Sequence, residues 1–163
     1  MKTEGVAPTV KVAQFFLEHA HLAHRANALG VSSSTTMPPT ETIVNVEVAV
    51  SADRTTAIVS LQVVVEPSEK ALYEYDVKMV ALLNLEHLQA EGANKFVALI
   101  GATYLFPFVR EAVANLTSRG RFGPVWLQPF NLRNAVYGDP NMPVEGAPPA
   151  KAKRRKSKGS RQR

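Results

Sequence analysis

The sequence predicts an α+β domain, in which an antiparallel sheet comes first and helices follow. Three segments between residues 41 and 85 alternate apolar and polar side chains, which is the pattern of half-buried strands. The connections between these segments are short, and short connections favour antiparallel neighbours. From about residue 93 the apolar spacing changes to three and four residues, which is typical of a helix. With 163 residues, of which 45% are hydrophobic, the chain is sized for one core.

The three predicted strands each carry one apolar row. In the first, residues 41–50, valines at every second position form that row. A polar turn at residues 51–54 leads into the second strand, residues 55–65, which repeats the alternation. The third strand, residues 71–85, alternates until Val80, beyond which both faces are apolar. This order predicts an antiparallel meander.

The segment before these strands, Val10 to Arg25, allows two interpretations. Leu17 and Ala20 favour a helix by their intrinsic propensity. Val12 and Phe15 would instead suit a strand. From propensity alone, the sequence favours the helix.

The helical pattern after residue 92 predicts a long helix that covers the sheet and ends near Gly120. Pro107 lacks an amide, so we expect the helix to kink or restart there. The stripe predicted to face the sheet consists of Phe96, Leu99, Ile100, Thr103, Phe106, Val109, Val113 and Leu116. Because further apolar residues lie off this stripe, the helix needs a second apolar partner. We therefore predict an oligomer interface that includes Tyr104, Leu105, Phe108, Val109 and Val113.

The net charge of +5 is unevenly distributed along the chain. Eight of the 19 basic residues lie between Lys151 and Arg163, where no acidic residue occurs. The rest of the chain contains 11 basic and 14 acidic residues, so it carries a charge near −3. The basic tail is interpreted either as a solubilising appendage or as a weak anchor to nucleic acid, ribosome or anionic lipid. The predicted organisation is a flexible N-terminus (1–9), one domain (10–137), a linker (138–150) and a disordered basic tail (151–163).

Motifs for catalysis and metal binding are missing from the sequence. There is no cysteine, no nucleophile elbow, no phosphate-binding glycine loop and no dinucleotide fingerprint. His19, His21 and His24 are close in sequence, but no cluster of acidic ligands accompanies them. We therefore expect neither enzymatic activity nor a cofactor nor a metal site. No apolar run suggests a secretion signal or membrane insertion, so we expect a cytoplasmic protein.

Residues 105–132, LFPFVREAVANLTSRGRFGPVWLQPFNL, resemble the SecB family of export chaperones. The matching features are the helix opening Leu105-Phe106-Pro107-Phe108, the pair Arg110-Glu111, the sequence Ser118-Arg119-Gly120, and Phe122 followed by Pro129 and Asn131. The resemblance implies that Val10 to Arg25 is a first strand. It also implies a four-stranded antiparallel sheet with long C-terminal helices packed on one side, and a homotetramer built as a dimer of dimers.

The resemblance further implies a function. A chaperone of this kind binds unfolded preproteins through apolar grooves and keeps them competent for export, with the motor SecA as a possible partner. Glu74 and Asp76 resemble the acidic patch that meets SecA, although an ordinary solvated strand face explains them equally well. Two alternatives stay open: a SecB-like chaperone dedicated to one client such as an antitoxin, and a nucleic-acid-associated protein that acts through its tail.

The apolar loop that follows Gly120 is the candidate client-binding site. Holding an unfolded chain requires apolar surface that the protein's own core does not consume. Two prolines, Pro124 and Pro129, stiffen the backbone of this loop and so hinder the burial of its side chains. The candidates are Phe122, Val125, Trp126, Leu127 and Phe130. The alternative is that these residues fill the core or a subunit interface.

Overall fold

The computed structural model describes residues 8–25, 28, 30–32, 41–65, 71–88 and 93–138. These ranges contain four strands and two helices: β1 (Thr9–His24), β2 (Thr42–Val50), β3 (Thr56–Val65), β4 (Tyr73–Glu86), α1 (Ala93–Ser118) and α2 (Leu132–Tyr137). The predicted basic tail, nearly all of the predicted linker and most of the predicted N-terminal segment lie outside the described residues.

The strands form one antiparallel sheet in the order β1-β4-β3-β2. The predicted meander of β2, β3 and β4 is confirmed within one or two residues at each end. Val59, Leu61 and Val63 of β3 are completely buried on the face that packs against α1, and the alternate side chains of β3 and β4 lie on the opposite face. We call this second face the open face.

The helix favoured by propensity for Val10 to Arg25 is wrong, and the strand implied by the family resemblance is right. β1 pairs along its length with β4, from Thr9 opposite Glu86 to His24 opposite Tyr73. Register shifts between Val12 and Gln14 and between Leu17 and His19 interrupt the pairing. Each shift moves later side chains to the other face, so β1 lacks the clean alternation by which a strand is recognised.

The hairpin between β2 and β3 is held by Asp53. Ser51 Oγ donates to Asp53 Oδ1 at 2.6 Å, and Thr55 Oγ1 donates to Asp53 Oδ2 at 2.8 Å. These two hydrogen bonds lower the pKa of Asp53 below its ordinary value, that from Ser51 most. Arg54 then reverses the chain at φ 57°. The turn that the sequence predicts at residues 51–54 is therefore present.

α1 is a single helix that continues through Pro107 and does not restart there. Pro107 and Thr103 are both exposed, so water can reach the Thr103 carbonyl that loses its amide donor. The expectation of long C-terminal helices is met by one helix among the described residues, because α1 has 26 residues and α2 has 6.

The side of α1 that faces the sheet differs from the predicted stripe. Its buried residues are mostly small: Ala93, Val97, Ala98, Gly101, Ala102, Leu105, Val109, Val113, Ala114 and Thr117. Phe96 and Phe106, which were predicted to face the sheet, are only partly buried. Small residues allow the helix backbone to lie close to the sheet, and the large rings are displaced to its two sides.

By length and composition alone, α1 would also suffice to span a membrane. A core helix of a soluble domain has the same composition, and ten residues of α1 are buried within this fold. We therefore describe α1 as the core helix of the domain.

Candidate functional site

The segment from residue 119 to residue 138 runs back along α1, antiparallel to it. Successive residues of the segment contact successively earlier residues of α1. The four contacts are Val125 with Thr117, Trp126 with Arg110, Phe130 with Phe106, and Tyr137 with Lys95. The returning segment also places α2 beside β2. Loop, short helix and α1 therefore form one elongated surface.

Two buried hydroxyl groups fix the start of this segment. The amide of Phe122 donates to Tyr73 Oη at 2.8 Å, and the amide of Val125 donates to Thr117 Oγ1 at 2.8 Å. Tyr73 is 1% exposed and Thr117 0% exposed, so the acceptors do not move with the loop. Gly120 lies directly against the Tyr73 ring, and a side chain there would collide with it. The loop is therefore held in one arrangement by the core.

The candidate client-binding residues differ in exposure. Trp126 is 59% exposed, the highest value among the large hydrophobic side chains of the described residues. Phe122, Val125 and Phe130 are partly buried and pack against the edge of the core. Leu127 is 2% exposed and belongs to the core itself, so its prediction as a client contact needs correction.

Aromatic rings follow one another along this surface. Phe122 packs edge-on against Tyr73 at 5.7 Å, and Phe130 packs edge-on against Phe106 at 5.6 Å between ring centroids. Tyr137, 40% exposed, lies at the far end on α2. We call Phe122, Trp126, Phe130 and Tyr137 the aromatic strip.

Positive charges lie over three rings of the aromatic strip. Lys95 Nζ is 5.4 Å from the centroid of Tyr137, and Arg110 Cζ is 5.9 Å from that of Trp126. Arg121 Cζ is 5.8 Å from the centroid of Phe122. These distances are within the range of cation–π attraction.

A second apolar surface lies on the other side of α1, where the helix meets the edge strand β1. Phe15 and Phe108 pack with their ring centroids 4.2 Å apart. A groove of about 390 Å³ lies near Tyr104, and a groove of about 430 Å³ lies near Leu17. We call this surface the β1–α1 seam.

Two of the five predicted interface residues lie at the β1–α1 seam. Tyr104 is 51% exposed and Phe108 is 37% exposed. Leu105, Val109 and Val113 are at most 1% exposed because they face the chain's own sheet. The interface prediction is corrected for these three residues, which offer no surface to a second copy.

The predicted docking pair Glu74 and Asp76 lies on the open face, where both carboxylates already have partners in the same chain. His19 Nε2 lies 2.9 Å from Asp76 Oδ1, and Gln62 Nε2 donates to the same carboxylate at 2.9 Å. Arg25 lies 3.9 Å from Glu74. A basic partner would therefore compete with basic groups that are already in place.

The open face carries a further ion pair network beside this pair. Lys78 Nζ lies 3.1 Å from Glu18 and 3.5 Å from Glu47. The hydrogen bond to Glu18 raises the pKa of Lys78 above its ordinary value. Of the five ion pairs found among the described residues, four join strands of the sheet and the fifth joins Arg25, directly after β1, to β4; none involves α1 or α2.

The comparison with protein families decides what kind of domain this is. The family model described as preprotein translocase subunit SecB matches residues 4–140. The chain belongs to the SecB family. It is therefore a SecB-type chaperone domain, with the sheet and core helix described above.

Named relatives and solved structures agree with this assignment. The protein-export protein SecB of Paraburkholderia xenovorans (strain LB400) is 26% identical over 142 residues, covering 84% of this chain and 87% of that protein. The SecB of Wolbachia sp. subsp. Brugia malayi (strain TRS) is 42% identical over 54 residues, covering 33% of this chain and 32% of that protein. A SecB-like chaperone from Mycobacterium tuberculosis, solved in complex with a peptide from the HigA1 antitoxin, has the same fold. It matches with a TM-score of 0.59 and 15% identity, covering 74% of this chain and 90% of that one.

The three histidines of this SecB-family chain lie along β1 and do not converge. His19 meets Asp76, whereas His24 Nε2 accepts the amide of Arg121 at 3.2 Å. No group of three potential metal-binding side chains is present in the part of the chain that the structure describes.

Four members of the elongated surface were missed from the sequence: Tyr137, Phe106, Arg110 and Lys95. Phe106 was assigned to the sheet-facing stripe, and Tyr137 was taken only as a boundary. Their proximity to the loop depends on how the chain folds back along α1. The four-residue spacing of Phe122, Trp126 and Phe130 was the local signal that the sequence did offer.

Replacing Thr117 by valine is expected to loosen the loop of the SecB domain. Valine has the same shape but no acceptor for the amide of Val125, and an unsatisfied buried donor costs about 1–3 kcal/mol. We expect a corresponding loss of unfolding free energy in urea, and faster amide exchange at Val125. Thr117→Ser keeps the hydroxyl, so it should retain most of the unfolding free energy and most of the protection of the Val125 amide from exchange. Equal behaviour of the two variants would show that the hydrogen bond does not hold the loop.

Proposed function

We propose that this SecB-family chaperone holds unfolded polypeptide segments in extended form along the aromatic strip. The observation that carries the proposal is the 59% exposure of Trp126 within a line of rings that the core holds in place. A soluble domain rarely leaves such apolar surface unused unless it binds something. The part of α1 from Lys95 to Thr117 is about 33 Å long, the length of about ten extended residues.

The expected affinity of one strip is modest. Full burial of a large apolar side chain contributes roughly 1.5 to 3 kcal/mol, and three such contacts approach the free energy of micromolar binding before ordering costs are subtracted. Several strips on one oligomer would bind a long client more tightly, because later contacts form within the same complex. This mode of action needs no nucleotide and no catalysis.

The direct test is suppression of aggregation. The purified protein should keep a slowly refolding client soluble at a defined ratio of chaperone to client, at low and at high salt alike, since the proposed contacts are mainly apolar. The folded form of the same client should not bind. A protein that leaves aggregation unchanged at every ratio would contradict the proposed function.

Assembly into a homotetramer through the β1–α1 seam is part of the proposal. Tyr104, Phe108 and the two grooves supply apolar surface beside an edge strand, and such surface favours a subunit interface. A dimer of dimers would follow if one pair of copies meets at this seam and a second contact joins the pairs.

Replacing Phe108 by glutamate is expected to dissociate this assembly, because an unpaired charge would be buried at the seam. Light scattering should then report a smaller particle at micromolar concentration. Ile58→Glu is the matched control, since Ile58 is 50% exposed on the open face. If the tetramer survives Phe108→Glu, or if Ile58→Glu dissociates it equally, the seam is not the interface.

The client range and the further partners are also proposals. The description of the family and the names of the relatives support a role in preprotein export, for which we propose a cytoplasmic location. A dedicated client such as an antitoxin is the alternative. Docking of SecA on Glu74 and Asp76 would require displacement of His19 and Arg25. The basic residues between Lys151 and Arg163 would add a weak, salt-sensitive anchor to nucleic acid or to an anionic surface.

A further inference from the structure

Among the residues that the structure describes, the charged side chains in contact with the aromatic strip are positive. Between Ala93 and Gly138 the chain has five basic residues, and Glu111 is its only acidic residue. Glu111 lies on the other side of α1, where it lines the groove near Leu17. Lys95 and Arg110, which stack on the strip, are therefore not accompanied by an acidic residue from the same segment.

The neighbouring strand β2 does not supply the missing acid. Its acidic residue, Glu47, lies on the open face, where Ser60 Oγ donates to it at 3.1 Å. The β2 positions that face the helix side are Thr42, Val44, Val46, Val48 and Val50, which carry no charge. Within the described residues, Lys95 and Arg110 have no carboxylate partner.

Arg110 is held in place by its surroundings and has no carboxylate partner among the described residues. Its guanidinium lies over Trp126, and its Nε is buried without a hydrogen-bond acceptor among the described residues. The residue as a whole is partly exposed, so a ligand carboxylate that accepts a charge-assisted hydrogen bond from its guanidinium would gain free energy there. Arg110 therefore lies where the most exposed ring meets a group that attracts carboxylates.

We propose that the aromatic strip selects extended client segments in which apolar side chains are interspersed with acidic ones, and disfavours segments rich in lysine and arginine. The proposal rests on the proposed function, because it specifies which polypeptides the same surface holds. Apolar side chains of the client would cover the rings, while neighbouring carboxylates would meet Lys95 and Arg110 at their edges. A lysine at those positions would be repelled and would displace the stacked cations.

The test uses the full-length protein and matched unstructured peptides with fluorescent labels. The peptides share their apolar residues and differ only in whether the positions between them are Glu, Gln or Lys. We expect the Glu peptide to bind about three- to ten-fold more tightly than the Gln peptide, as two partly exposed charge pairs would produce, and the Lys peptide to bind most weakly. Raising the salt concentration should shrink the differences without abolishing binding.

Variants identify the source of the preference. Lys95→Gln combined with Arg110→Gln should bring the Glu and Gln peptides to nearly equal affinity while the Gln peptide still binds. Lys11→Gln removes one positive charge from the open face, where Lys11 pairs with Glu86 at 2.6 Å, and should leave the preference unchanged. Because the basic tail is the same in all three proteins, a preference that came from the tail would persist in the double variant and overturn the assignment to the strip.

The outcomes separate this inference from the proposed function. Equal binding of the Glu and Lys peptides by the unaltered protein, or tighter binding of the Lys peptide, would overturn the charge preference and leave the holding function intact. Failure of all peptides to bind, together with no suppression of aggregation, would overturn both.

Discussion

Replacing Gly101 by alanine is expected to destabilise the domain by about 1–3 kcal/mol, the usual effect of overpacking a filled core. A Cβ at this position would lie 2.7 Å from the side chain of Val59, which is completely buried on β3. Alanine in a helix is otherwise more favourable than glycine by roughly 0.5–1 kcal/mol. The sign of the change therefore distinguishes close packing from helix propensity. Urea unfolding monitored by circular dichroism gives the measurement.

A double-mutant cycle with Val59→Ala supplies the control. Val59→Ala alone leaves a cavity and is also destabilising. If the two side chains compete for one space, the double variant should be more stable than the sum of the single effects predicts, with a coupling of about 0.5–3 kcal/mol. Additive effects, or a stabilising Gly101→Ala, would mean that α1 does not rely on this close approach.

The sheet could be predicted where burial is one-sided. In β3, Val59, Leu61 and Val63 alternate with more exposed residues such as Ile58 because one face meets α1. β1 offered no such signal. As an edge strand it leaves Phe15, Phe16 and Leu17 41–48% exposed in succession, and its two register shifts break the period of two. Intrinsic propensity then favoured a helix, and the segment forms a strand because it pairs with β4.

The orientation of α1 could not be predicted from periodicity. The spacing of apolar residues shows that a helix is amphipathic, but α1 is apolar on several sides. The sequence analysis assigned the large rings to the sheet. The structure instead places Gly101 and Leu105 there and displaces Phe106 toward the loop and Phe108 toward β1. Close packing against a twisted sheet selects the side with the smallest residues, which periodicity does not rank.

Only the part of the candidate site that depends on local sequence could be predicted. A dense apolar loop is visible in the sequence, and Trp126 in it is indeed exposed. The burial of Leu127 and the positions of Arg110 and Tyr137 depend on the return of the chain along α1. Contacts between residues that are far apart in sequence leave no local pattern.

Removing the rings of Trp126 and Phe130 together, by substitution with alanine, is expected to weaken the holding of unfolded clients by about 30- to 100-fold. The expectation follows from losing two large apolar contacts, each worth roughly 1.5 to 3 kcal/mol when fully buried, part of which the chain itself already covers. Substitution of Trp126 reports client contact more directly, because Trp126 is mostly exposed, whereas Phe130 also packs against Phe106. Client affinity, particle size and unfolding free energy should all be measured on the double variant and on Trp126→Ala alone.

Ile58→Ala is the matched control, because it removes from the open face an apolar side chain that is 50% exposed, close to the 59% of Trp126. It should leave client affinity unchanged if holding is local to the aromatic strip. A double variant that loses folding stability or assembly but keeps client affinity would show that the rings fill the fold rather than contact the client. Loss of client affinity with assembly and stability intact would instead assign the contact to the strip, since particle size and unfolding free energy report the structural role separately from the binding role.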